Sequence, residues 1–499
     1  MQTSGSDGRW DEGSTLFRRG WVATSYPTSS DALEGWASVP GTEWELRAHP
    51  ALGWATAQDA GHAVVMLGDV VDLDRSGSTD RRAIAKRALA LLRRSIDQAV
   101  RYVAYLGGHF ACLLVTPGQT VVMPDCAGTM PIFWHENGGR LTLGSHSHLI
   151  GELSHAPVDE TAVGLLPRAR EMKTGGTLYY PGILTPFVGV RPVIPNNLLR
   201  VQGEQITHER FYPFGDLELI RDPEEAYDAF SSVFTTHVRG LASLGNVCLS
   251  LTAGRDSQAS FAAVLRTVRP GALLTWSYYN FSKPHEGLQA DLLAANELAR
   301  SFGVPHQVVA LGETADREFS ELYDRTMRYT PQFKALAQAI HDQLSPDLVE
   351  MQSMVAEAGT GFYKNRTEPR PSIERLARLY SRSEFGALPE VRDAFEEFID
   401  YANFDDDAFG AIDYHDLFYW ESRVGRWGCL RMQEVDLSVR IALPFNSRKV
   451  IEALMAPKFE DRVQKQALVR YASETLASVR RAAARKGLRG LADRVLSPR

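Results

Sequence analysis

The stretch NVCLSLTAGRDSQASFAAVLRTV, residues 246–268, limits the fold most. A short apolar run passes through a Gly-containing turn straight into a helical pattern, and the alternation continues in ALLTWSYY, EGLQADLLAANELARSFG and HQVVAL. Strands alternating with helices of this length predict a parallel sheet with crossover helices. Ligands of such sheets sit outside the carboxyl ends of the strands, and the turn at residues 251–257 occupies one of those ends.

The residues before this unit differ in kind. Residues 1–213 carry short β-like runs (HAVVMLGDVVDL, FACLLVTPGQTVVMPD, LTLGSHS, NLLRVQGEQITHERFYP) separated by turn residues, which predicts hairpins in antiparallel sheets. Residues 81–106 have helical periodicity ending near Gly107 and Gly108, so this first domain reads as α+β. A second domain is expected over residues 222–499, opened by Asp222 as a helix cap with Pro223 in the first turn. After about Glu313 it reads as largely helical. With 499 residues, 44% of them hydrophobic, there is material for both cores.

A net charge of −7 excludes a broad cationic field for nucleic acid or an anionic membrane, and favours small-molecule or peptide partners. Cys112, Cys126, Cys248 and Cys429 lie far apart without metal-ligand spacing and read as reduced, buried thiols. No window approaches the ~20 apolar residues of a membrane span, and the N-terminal MQTSGSDGRWDEGS has no signal-peptide core, so a soluble, cytoplasmic protein is expected.

The turn itself carries Leu251, Thr252, Ala253, Gly254, Arg255, Asp256 and Ser257. Small residues let backbone N–H groups approach an anion at a helix N-terminus, and the Thr252 and Ser257 hydroxyls can donate to phosphate oxygens. A carboxylate there repels phosphate unless it holds a bridging divalent cation, so the set predicts a magnesium-pyrophosphate site with Asp256 as metal ligand. The plainer alternative is an aspartate capping the helix with Ser257 as a bystander.

LTAGRDS resembles the LSGGLDS pyrophosphate loop of the asparagine synthetase family. Further segments resemble that family in the same order: LGGHFACLLVTPGQTVVMPDCAGTMPIFWHENGGRLTLGSHSHLI, TGGTLYYPGILTPFVGVRPVIPNNLLRVQGEQITHERFYP, ALLTWSYYN, DLLAANELARSFGVPHQVV and LPFNSRKVIEALMAP, which together span nearly the whole chain. The resemblance implies a degenerate glutaminase-like (Ntn-hydrolase-like) antiparallel sandwich, then an α/β PP-loop ATP pyrophosphatase domain with a helical C-terminal part. It implies ATP and Mg2+ as cofactors and adenine read by the backbone near Ser277 and Tyr278, with Asp291 on the helix that follows.

Glutamine-dependent members carry a cysteine directly after the initiator methionine; here that position is Gln2, and no cysteine precedes Cys112. The resemblance therefore implies no glutaminase activity and an acceptor amine other than glutamine-derived ammonia. By the same resemblance Glu357 falls on the catalytic glutamate that orients and deprotonates the amine, and Thr360 falls where the second metal-binding aspartate stands. Lys465 and Lys486, with Arg462 and Arg485 adjacent, are candidates for the lysine that neutralises departing pyrophosphate. Lys364 and Arg366 offer further phosphate-balancing charge. The aromatic segment 416–437 places Glu421, Arg423 and Arg426 at helical spacing, with Glu421 read as partner to the catalytic acid and core packing as the alternative. His146 and His148 share a face of a strand-like run without a third ligand.

The function these readings predict is an ATP-dependent, AMP- and pyrophosphate-forming amide synthetase that adenylates a carboxylate and condenses it with an amine in specialised natural-product biosynthesis. Its partners are a small-molecule or peptide carboxylate and amine, with a homodimer possible. The alternatives are ammonia-dependent asparagine synthesis and a non-catalytic scaffold or binding protein that keeps the fold.

Overall fold

The computed structural model describes residues 16–174, 179–268, 270–312 and 317–496, with side chains described as far as residue 484. Up to Arg210 the strands form two six-stranded sheets whose pairings are antiparallel. Alternation along a strand sends neighbouring side chains to opposite faces. Val65 and Leu67 of His62–Val71 meet Trp21, Ala23 and Leu46 of the other sheet, while Val64 and Met66 meet Ile84, Ala88 and Val103 from helices. On the outer face of the other sheet Val22 and Phe133 pack on Leu149 and Ile150 of the helix Ser147–Leu153. The result is a four-layer helix–sheet–sheet–helix sandwich, buried on both faces of each sheet. Cys112 lies in one of these layers, fully buried, where desolvation pushes its thiol up and keeps it unreactive.

Two local expectations differ from the structure. The helical stretch 81–106 is two helices, Arg81–Leu92 and Ile96–Ala104, because Ser95 accepts a hydrogen bond from the Asp97 amide and restarts the helix; Gly107 and Gly108 open a strand. His146 and His148 do not share a strand: His146 precedes the helix Ser147–Leu153 and His148 lies within it, paired with Glu152 at 2.9 Å. Burial holds the His146 imidazole down at about 3.

Asp222 caps the helix Pro223–Ala242 by accepting from the Glu224 and Glu225 amides. Beyond it lies a five-stranded parallel sheet in the order His306–Ala310, Leu273–Tyr279, Asn246–Ser250, Leu348–Met351, Arg440–Ala442. The last two strands fall in the region read as helical. They are four and three residues long and interrupted by charge, Glu350 and Arg440, so no apolar run marks them. Glu350 is buried, which pushes its carboxyl up to about 8; the Trp276 indole donates to it at 3.2 Å. From the central strand the chain first builds outward on one side, then returns to add Leu348–Met351 on the other. The boundary between Asn246–Ser250 and Leu348–Met351 is a topological switch point.

The sandwich and the parallel-sheet region are joined by a buried polar seam. Asn446 donates to Asp125 Oδ1 and Thr129 Oγ1, both at 2.9 Å, and accepts from the Ala127 amide. The fully buried Arg448 reaches the Ala104 carbonyl (2.7 Å) and Asn196 (3.0 Å) among the rings of Phe211, Tyr212 and Trp420. Arg210 grips Glu421 with two parallel hydrogen bonds of 2.6 and 2.7 Å, and Asn196 donates to the same carboxylate. Replacing one member of a buried pair leaves the other charge uncompensated. Arg210→Met should therefore destabilise the fold by about 3–5 kcal/mol, read as a lower urea midpoint, and the double variant Arg210→Met/Glu421→Met should recover much of the loss.

Candidate functional site

The turn after Asn246–Ser250 is shaped by its own side chains. Leu251 still bonds into the sheet, its amide donating to the Trp276 carbonyl at 2.8 Å, while Ser277 donates its hydroxyl to the Leu251 carbonyl. The Thr252 amide donates to Ser257 Oγ (2.8 Å), which donates back to the Thr252 carbonyl (3.2 Å); the Gly254 amide donates to Thr252 Oγ1 (3.1 Å). The Ser257 hydroxyl, expected to face phosphate, thus holds the turn closed. Ala253 is not among the residues of positive φ, so a side chain is tolerated there. Gly254 precedes the 13-residue helix Arg255–Thr267 and supplies no side-chain cap, leaving the first-turn amides open to an anion. Asp256 lies inside that first turn and does not cap it.

The turn after the neighbouring strand Leu348–Met351 leads to the short helix Glu357–Thr360. Val355 stands at φ 78°, a left-handed conformation for a β-branched residue that costs of order 1–3 kcal/mol and is sustained only by its surroundings. Two residues later Glu357 arrives beside Asp256. Lys465, itself at φ 54°, places its ammonium 2.8 and 2.7 Å from the two Asp256 oxygens and 3.3 Å from Glu357 Oε1. Tyr419 donates its hydroxyl to Glu357 Oε2 at 3.2 Å. Burial, together with the charge of Glu357, raises the Asp256 carboxyl to about 6 against the opposing pull of Lys465. The Lys465 ammonium is shifted up: desolvation lowers it, but Asp256 and Glu357 together outweigh that.

This donor set fits an ammonium better than a metal. Both Asp256 oxygens are taken by Lys465, and no group of three or more His, Cys, Asp or Glu residues suited to a metal occurs among the described residues. Thr360 brings no carboxylate; it is buried, with its hydroxyl lacking a hydrogen-bond partner. Asp291 sits half-buried on the helix Glu286–Ser301, and among the described residues no hydrogen bond or ion pair links it to Asp256 or Glu357.

Several candidate residues have other partners. Glu421 is not the partner of Glu357: Arg210 and Asn196 hold it in the seam, and Tyr419, two residues earlier, takes the expected place. Arg426 donates to the Gly182 and Leu184 carbonyls. Arg366 and Arg462 converge on Asp416 at 2.5 and 2.6 Å, so neither is poised for phosphate. Arg255 donates to the Gln464 carbonyl, tying the turn to the lysine segment. Tyr278 stands against Phe333, Lys364 is exposed, and Arg423 lies over the Phe362 and Trp427 rings. Gln2, Arg485 and Lys486 lie outside the residues whose side chains are described. Tyr419 carried no motif. It stands where the α-helix Tyr414–Phe418 passes into the π-helix Tyr419–Gly428.

If Lys465 is the charge that keeps Asp256 near 6, Lys465→Met should move that titration upward and Glu357→Gln should move it downward, as followed by carboxyl-carbon NMR. The native carboxyl holds its proton more tightly than the unfolded one at 3.8, so its contribution to stability falls as pH rises from about 4 to about 6.

No protein-family model matches this chain, and no curated protein does. Among solved structures it is similar to the glutamine phosphoribosylpyrophosphate amidotransferase from B. subtilis complexed with ADP and GMP, at 12% identity over 62% of this chain and 58% of that one, with a TM-score of 0.20. It is also similar to the allosteric regulatory enzyme of purine biosynthesis, at 13% identity over 50% of this chain and 61% of that one, with a TM-score of 0.21. The chain thus spans about three-fifths of the length of each, and likenesses this loose assign it neither a family nor an activity.

Proposed function

We propose that this chain is an ATP-dependent amide-forming ligase of the asparagine synthetase-like kind, lacking glutaminase activity. The observation that carries this reading is the meeting, at the switch point of a parallel sheet, of an uncapped helix N-terminus with the Asp256–Lys465–Glu357–Tyr419 cluster. A carboxylate at neutral pH is a poor electrophile, and transfer to the α-phosphate of ATP makes its carbonyl attackable with AMP as leaving group. The first-turn amides of Arg255–Thr267 would hold the departing phosphates. Lys465 would neutralise the charge that develops on them, a role worth most where water is excluded. Glu357 would take the proton of the incoming amine, its orientation set by the Tyr419 hydroxyl. Magnesium would enter on the phosphates, and its use of Asp256 would require Lys465 to let go of that carboxylate. The carboxylate and amine are small molecules or a peptide, and specialised natural-product biosynthesis is the setting this favours. The sandwich would be a relic of a glutaminase domain, with the synthetase domain over residues 222–499.

A second reading has its own support. Lys465 already occupies both oxygens of Asp256, and Thr360 brings no carboxylate, as in a chain that keeps the fold as a binding protein.

Substrate-dependent exchange of labelled pyrophosphate into ATP separates the two. Exchange with one of a panel of carboxylates is expected, and its absence from folded protein with magnesium would favour the binding protein. Asp256→Asn should abolish exchange. Tyr419→Phe and Glu357→Gln should retain it while slowing amide formation, by about 10²-fold or more for Glu357→Gln; loss of exchange in both would place these residues in the first step instead.

A further inference from the structure

The segment that connects the sandwich to the helix Pro223–Ala242 borders a cavity of about 540 Å3, a volume within the roughly 300–1,000 Å3 of small-molecule sites. Residues 213–218 and Ile220, outside any helix or strand, form one wall, anchored where the Ile220 amide donates to the Ala456 carbonyl at 3.1 Å. The other walls come from the helices Ile96–Ala104, Pro223–Ala242 and Arg448–Met455. Phe214, Leu217, Val233 and Ala453 make much of the lining apolar.

One carboxylate is set into that lining. Glu452 Oε1 accepts the hydroxyls of Tyr105 at 3.0 Å and of Tyr212 at 2.9 Å. Its second oxygen accepts no hydrogen bond from the described residues and is not sealed in the protein, so it opens on the cavity. No lysine or arginine among the described residues forms an ion pair with Glu452. Arg448, one turn back on the same helix, is held by the Ala104 carbonyl and Asn196, and Lys449 reaches out to Asp74. Burial pushes the Glu452 carboxyl up, against the two hydroxyls and the more distant charges of Arg448 and Lys449. Arg101, the remaining cation of the lining, stands over the Phe214 ring at 5.0 Å.

A desolvated carboxylate without a cation in contact is unfavourable, and an arriving ammonium relieves it. Water can fill the open hydrogen-bonding position but brings no charge, and an inorganic ion would leave the apolar walls unused. Tyr105, Tyr212 and Phe214 add ring faces, which attract cations. Neither Asp256, Glu357 nor Lys465 lines this cavity except through the helix Arg448–Met455, whose Ile451 and Leu454 pack on Gly359 of the helix that begins with Glu357.

We propose that this cavity binds an organic ammonium with an apolar body, the N–H groups donating to the open Glu452 oxygen and the body lying on Phe214, Val233 and Ala453.

The test is calorimetric titration of the full chain with phenethylamine, phenylalanine and 3-phenylpropionate, which share an aromatic body and differ in charge. Saturable binding of phenethylamine, phenylalanine or both, none of 3-phenylpropionate, and weakening by about tenfold or more in Glu452→Gln are expected. Glutamine keeps an oxygen for the two tyrosine hydroxyls, so the variant retains the bonds that seat the side chain. Tighter binding of phenylalanine than of phenethylamine would support the proposal and assign its carboxylate to Arg101. Should Glu452→Gln fail to fold, Ala453→Leu, which narrows the cavity and leaves its charges in place, gives the same reading. No binding of either amine, binding of 3-phenylpropionate alone, or amine binding untouched by both substitutions overturns the proposal. Amine binding lost in Glu357→Gln and kept in Glu452→Gln would also overturn it, placing the amine in the Asp256–Glu357 crevice.

Discussion

Two strands lying side by side govern the candidate site. Because Leu348–Met351 pairs with Asn246–Ser250 in parallel, the turns that leave their carboxyl ends emerge together, and each delivers one acid: Asp256 from the first and Glu357 from the second. Two carboxylates in a partly desolvated crevice repel, so one must hold a proton or a cation must stand between them. Lys465 comes from more than a hundred residues beyond Glu357, in a left-handed backbone conformation, to supply it. Burial first and the charge of Glu357 second raise the Asp256 carboxyl, and the one ammonium of Lys465 only partly offsets them. Such a crevice is ready to respond to any ligand that brings its own charge.

The sandwich sets this geometry from a distance. The π-helical segment Tyr419–Gly428 carries Tyr419 toward Glu357 and Glu421 toward Arg210. Its register is pinned at one point by a bidentate buried ion pair to the N-terminal region. Arg448 and Asn446 hold the same seam from the helix and turn that follow the last strand. Removing the sandwich would expose Glu421, Arg448 and Asn446 unpaired and free the segment that orients Tyr419.

The parallel sheet therefore has two polar ends of opposite character. At the carboxyl ends of its strands two acids share one cation; at the other end Arg18, Arg19, Arg81 and Arg440 line a cavity with Asp69 and Asp436. Both lie where the backbone leaves regular structure, and both include residues of positive φ, Val355 and Lys465 at one end and Phe17 and Arg19 at the other. Strain of this kind persists only where the surrounding packing over-determines it.

Much of this was legible in the chain itself. The 2-residue alternation of HAVVMLGDVV and the strand–turn–helix of residues 246–268 are local patterns, decided by which side chains a strand or helix can bury, and they led to the antiparallel layers, the parallel sheet and the turn at Asp256. Glu357 was singled out only through the resemblance to the asparagine synthetase family, not by any local pattern. The strands Leu348–Met351 and Arg440–Ala442 were not legible, since they are short and charged and exist only because a partner strand is already in place. Nor were the roles of Ser257, Tyr419 and Glu421, nor the arginine cavity. The partners of Tyr419 and Glu421 lie 62 and 211 residues away and are set by packing between elements, which no local periodicity records, while the Ser257 hydroxyl turns back onto Thr252 in a backbone geometry that residue type alone does not fix.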